Sequence, residues 1–288
     1  MTSSIDYAHA EGIYSLAGAI IFAVVYAPLF ILFVLKSVRI PTYVHFVLSF
    51  FCLIRMVAFT LRAVLAGSTS AAHNENLLIA EQVVYSVSFF GVLYSAYTLV
   101  LDRESLVDMS FIETYAPGPV QLLFRIMRMR MLIRMALMVA VILGIVGAVD
   151  YESATTIAKL NSGLHLRSAS VYIFLAVSCL LAINTVVLSA ATVRSFSQKP
   201  PAYEAQEHPK LGTTYGVFIL LAISALIVTR EAFYTATESN LSKQNNEKLW
   251  YPLSALTEFI AVTLFAIPGL VPSRRELPAE ERELKLLS

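Results

Sequence analysis

The residues Val228–Pro272, V-T-R-E-A-F-Y-T-A-T-E-S-N-L-S-K-Q-N-N-E-K-L-W-Y-P-L-S-A-L-T-E-F-I-A-V-T-L-F-A-I-P-G-L-V-P, hold the end of one apolar run, a polar loop and a second apolar run closing on Pro268-Gly269. Charges interrupt both runs: Arg230 and Glu231 the first, Glu258 the second. A charge at the centre of a membrane helix costs about 2.5–3.5 kcal/mol on insertion scales, so such residues face a protein interior and have partners there. The other apolar runs must supply those partners, which makes the chain a bundle.

Composition agrees. With 288 residues, 57% hydrophobic, 14% charged and a mean hydropathy of +0.70, the chain is too apolar for a soluble domain. A span needs about 20 mostly apolar residues. Seven stretches qualify: Ile13–Leu35, Thr42–Ala66, Leu77–Val100, Met131–Val149, Ala169–Val193, Thr214–Ala236 and Tyr251–Val271. The expected fold is an all-α polytopic bundle of seven transmembrane helices. Residues 1–12 form a short N-terminus, 13–271 the membrane domain, and 272–288 a charged tail expected to be unstructured.

Basic residues in short loops stay cytoplasmic. One alternating set of loops carries thirteen of the 21 Lys and Arg, among them Lys36, Arg39, Arg103, Arg125, Arg128 and Arg130. The other set carries four: Lys159, Arg167, Lys243 and Lys248. This predicts an extracellular N-terminus and a cytoplasmic C-terminus in a multi-pass protein of the plasma membrane, with an endomembrane as the alternative. Met1–Gly12 has no basic n-region, so no cleavable signal is expected. Cys52 and Cys179 lie in apolar runs and read as small core residues.

Several residues within the runs have a reading of their own. Arg55 and Arg62 are seven apart and share one helical stripe. Glu81 and Gln82 open the third run, and Ser86, Gly91, Ser95 and Ala96 allow close helix approach. The run Leu101-Asp102-Arg103-Glu104 reads as a solvated cap. The arginines Arg125, Arg128, Arg130 and Arg134 read as a positive anchor or as an amphipathic surface helix on anionic lipid. Asn184 is expected to hydrogen-bond between helices. The stretch Asp150–Arg167 reads as a polar loop without a pattern.

Span direction places Arg62, Glu81, Arg230, Glu231 and Glu258 in the outer half of the bilayer, with Arg55 just beneath. Three arginines and three glutamates can be buried together because they cancel. They read either as a salt-bridge network or as the lining of a polar cavity with Tyr85, Tyr94, Tyr234 and Trp250. Such a cavity suits a zwitterionic head group or small polar ligand, arginines taking phosphate or carboxylate and glutamates an amine. Arg230 and Glu231 point about 100° apart and are expected to find other partners, Arg230 at Glu258 or Glu81.

Two short motifs lie in loops. Pro200-Pro201-Ala202-Tyr203 spells a WW-domain ligand, whose partner would be a WW-domain ubiquitin ligase. Asn240-Leu241-Ser242 is a glycosylation acceptor. No span contains a lysine, no histidine lies deep in a span, and no phosphate loop or nucleophile elbow occurs. No catalytic residue, metal, cofactor or nucleic-acid partner is expected; membrane lipid is.

The pattern Arg230-x-x-Phe233-Tyr234, Glu238, Glu247, Trp250-Tyr251 and Ile267-Pro268-Gly269 is similar to the fungal lipid-translocating exporter family, associated with resistance to aminocholesterol and sphingoid lipids. That family has an arginine after the aromatic residue and a His-Pro-Gly ending. Tyr234 and Ile267 stand at those places here, and Glu258 only loosely matches its acidic residue, which suggests a sister family of fungal seven-helix proteins. The resemblance implies a non-enzymatic protein that binds or translocates an amphipathic lipid or lipid-like stress compound. A receptor-like sensor coupled to cytoplasmic partners is the alternative, and a membrane terpene cyclase with a protonatable glutamate the third reading.

Overall fold

The computed structural model describes residues 6–105, 125–198, 211–238 and 240–272, and these are all-helical. Six helices are long and apolar enough to cross a membrane: α1 (Leu16–Arg39), α2 (Tyr43–Gly67), α3 (Glu75–Glu104), α4 (Arg130–Glu152), α5 (Ile157–Gln198) and α6 (Gly216–Thr237). Ser15, Thr42 and Asn74 start the first three, each side chain accepting the N–H three residues on, at 3.1, 3.4 and 3.3 Å. The last expected run is helical in three joined pieces, Glu247–Trp250, a π-helical turn Tyr251–Leu256, and Thr257–Phe265, together α7. Pro252 has no N–H to give the ladder, and the turn widens around it.

Successive helices pack against one another from α1 to α7, and α3 also touches α5 and α6. Its small residues permit that central place: a Cβ on Gly91 would lie 3.0 Å from Val47. Outward-facing side chains are apolar, with Val24, Phe46 and Met131 at 62%, 65% and 70% exposure. Such a belt is unstable against water and at ease against acyl chains, which supports a multi-pass membrane protein.

Helices α4 and α5 approach with almost nothing between their backbones. A Cβ on Gly163 would stand 2.6 Å from the Tyr151 nitrogen, and one on Gly147 2.7 Å from the Arg167 nitrogen. This contact corrects the reading of Asp150–Arg167 as a loop, since α5 begins at Ile157. The polar residues there lower hydropathy, yet no proline interrupts the helix between Ile157 and Arg167.

Two further expectations are overturned. Asp102, Arg103 and Glu104 are buried and clamped, not a solvated cap. Arg103 donates to the carbonyls of Gly212, Gly269 and Leu270 at 2.8, 2.7 and 3.0 Å, while Asp102 and Glu104 pair with Arg130 and Arg128 at 3.0 and 2.7 Å. Chain segments folded over the end of α3 supply these partners, and local sequence cannot show them. Asn184 is fully buried, and neither of its amide atoms has a hydrogen-bond partner among the described residues. Its neighbour Thr185 makes the interhelical bond, 2.8 Å to Ser224, because one residue turns a helix by 100°. Pro200–Tyr203 and the tail beyond Pro272 lie outside the described residues.

Gly163→Val should lower the melting temperature sharply, since its Cβ meets backbone that cannot step aside, a cost of about 1–3 kcal/mol or more. Gly144→Ala should cost less, because the nearest atom is the rotatable Ser170 hydroxyl at 2.9 Å. Thermal unfolding of the two purified variants in detergent tests the difference.

Candidate functional site

Seven residues on α2 separate Arg55 from Arg62, a rise of about 10 Å that puts one arginine deep and one near the end bearing the N-terminal segment. Around each a separate ionic cluster forms. Deep in the bundle, Glu258 of α7 accepts Arg55 Nε and Nη2 through its two oxygens, both side chains essentially unexposed. Arg55 Nη1 donates to the Tyr85 carbonyl at 2.7 Å. Arg230 of α6 places Nε 3.0 Å from the same Glu258 and pairs through Nη1 with Glu231. That last pair corrects the expectation that adjacent residues point too far apart: an arginine side chain is long enough to fold back across the 100° between them.

The second cluster is built on Arg62, which donates to Glu81 at 3.1 Å and stands 3.9 Å from Glu247. Glu247 was not among the expected charges; it also accepts the N–H groups of Tyr14 and Ser15 at 3.1 and 3.0 Å. The six expected charges thus fall into two groups rather than one network. A hydroxyl chain runs between them. Trp250 Nε1 donates to Tyr234 at 3.1 Å, and the Tyr234 and Tyr85 hydroxyls each lie 3.0 Å from Ser254, which the π turn of α7 presents. Arginine faces rest on rings, Arg55 on Tyr85 at 3.6 Å, Arg230 on Phe89 at 3.7 Å and Arg62 on Trp250 at 4.1 Å.

Above this floor opens a cavity of about 120 Å³. Arg62, Glu81, Arg230, Glu231, Tyr85, Tyr234 and Trp250 line it, while Arg55 and Glu258 lie beneath. Tyr94 does not line it and packs edge-on against Tyr43. Nine residues beyond Tyr85 is two and a half turns, the opposite face of α3.

Part of the cavity wall comes from residues that carried no signal of their own. Glu11, Arg167, Gln244 and Asn245 supply it. Arg167 Nη2 donates to Gln244 Oε1 at 2.8 Å, and Asn245 Nδ2 donates to Glu11. Gly12, at φ +76°, brings the N-terminal segment so close to Asn245 that a Cβ would sit 2.9 Å from its carbonyl oxygen. Burial pushes the Glu11 carboxyl above the usual carboxylate range, against the pull of Arg167 and the Asn245 amide. Only the positive-φ glycine and the Asn-Asn turn could have hinted at this contact, and neither says what it meets. Asn240 is exposed, its Oδ1 accepting the Lys243 N–H at 3.1 Å.

Comparison with protein-family models, with curated proteins and with solved structures found no match.

Glu258→Gln should cost about 3–5 kcal/mol of stability, because Arg230 keeps Glu231 while Arg55 is left charged and buried. Removing both members, as Arg55→Leu with Glu258→Leu, should recover part of that loss. Chemical unfolding of the single and double variants checks the order.

Proposed function

We propose that this chain is a membrane protein of seven spans, N-terminus outside, that binds an amphipathic molecule by its polar head group at the outer end of the bundle. The observation that carries the reading is the cavity of about 120 Å³ lined by three arginines and three glutamates inside a bundle whose outward face is apolar. That volume holds on the order of ten waters, enough for a head group and not for a chain. Pre-formed charges on rigid helices recognise a polar group without ordering cost, while the tail stays in lipid or detergent.

A sensing role is favoured over translocation by the opposite end of the molecule. There Arg103 ties α3 to the carbonyls around Gly212 and Gly269, and beneath the cavity the Arg55–Glu258 pair crosses the path. Movement of a head group through the bundle would break both. A cyclase reading has less support, since Glu81 and Glu231 are each paired with an arginine and Glu11 with an amide. The likeness to the lipid exporter family bears on ligand class alone, an amphipathic lipid or stress compound.

A ligand at a hundred times its Kd adds about 2.7 kcal/mol to the folded state, so a cognate amphiphile should raise the melting temperature of the purified protein measurably. Ser86→Trp, which fills the cavity from an exposed lining position, should abolish that shift. An unchanged shift in the variant would place binding elsewhere.

The thirteen-to-four division of loop basic residues predicts the topology. Tags at the two ends should report Met1 outside and Ser288 in the cytoplasm; both on one side would exclude seven spans.

A further inference from the structure

The cavity's charged groups are not alike. Arg62 and Arg230 have carboxylates within 4 Å, and Glu81 and Glu231 are their partners. Glu11 and Arg167 form no ion pair among the described residues. Each is instead held by a neutral amide, and the two amides are consecutive: Asn245 donates to Glu11, and Gln244 accepts from Arg167. One carboxylate and one guanidinium therefore stand in the cavity wall, near enough for Arg167 to pull on the Glu11 carboxyl but not touching it.

We propose that Glu11 and Arg167 read the two charges of a zwitterion, Glu11 taking its ammonium and Arg167 its phosphate or carboxylate. This rests on the cavity being a binding site, as proposed above. An ammonium has little alternative, because the ring faces of Trp250 and Phe89 are covered by Arg62 and Arg230. An anion has little alternative either, because the other two lining arginines carry carboxylates already. Both groups sit on fixed backbone. The segment bearing Glu11 is seated under Asn245 at Gly12, and Arg167 follows the close crossing of α5 on Gly147. A ligand bridging the two groups replaces the missing ion pair with charge-assisted bonds on both sides.

The same chemistry occurs in a phospholipid head group and in a free zwitterion such as phosphoethanolamine. The test is affinity of the full chain in maltoside detergent for lysophosphatidylethanolamine, lysophosphatidic acid, dodecylammonium and free phosphoethanolamine. The zwitterionic lipid should bind at least about tenfold more tightly than either amphiphile bearing charge of one sign only, the worth of one charge-assisted bond. Glu11→Gln should erase its advantage over lysophosphatidic acid, and Arg167→Gln its advantage over dodecylammonium, a crossed selectivity that general destabilisation does not produce. Free phosphoethanolamine binding as tightly as the lipid identifies a soluble zwitterion as ligand; binding of the lipid alone identifies a head group. Equal affinity for all three amphiphiles in the unmodified protein overturns the assignment of Glu11 and Arg167 and leaves the cavity a binding site. Failure of every compound to bind removes both readings.

Discussion

One carboxylate, that of Glu258, is shared by Arg55 of α2 and Arg230 of α6. In a medium that solvates ions poorly, a buried guanidinium has to be neutralised where it lies, and the geometry of neutralisation is narrow. Three helices are fixed to one another at a single point by that requirement. Glu231 supplies the second negative charge, so the deep cluster is balanced, and the rings of Tyr85 and Phe89 cover the two guanidinium faces. Removing charge from this cluster unbalances it, whereas replacing it wholesale with apolar groups does not.

The π turn of α7 gives the cluster its roof. Pro252 breaks the regular ladder at the level where Ser254 must meet two tyrosine hydroxyls from different helices. The resulting chain reaches Trp250, on which Arg62 rests, and through Glu247 the N-terminal segment. The cavity floor is therefore a hydrogen-bonded surface with little freedom. The wall at Glu11 and Arg167 differs, each of these side chains being held by one neutral amide. At the far end Arg103 performs the opposite task, satisfying three carbonyls left open where α7 ends and the chain approaches α6.

Residue patterns alone determined the all-helical class, the apolar runs and the choice of which charges must be buried. Each of these follows from a local quantity: hydropathy summed over about 20 residues, or a charge whose insertion cost forces it inward. The stripe of Arg55 and Arg62 was legible for the same reason, since helical period is a local rule. The tertiary structure decided who meets whom. It divided the charges into two clusters, brought in Glu247, turned Tyr94 away and left Asn184 without the partner that Thr185 found. It also carried Glu11 and Arg167, 156 positions apart by their numbers, to one cavity. Those outcomes depend on helix rotation and on the close glycine crossing of α4 and α5, where a shift of one residue turns a side chain by 100°, and no local pattern encodes that angle.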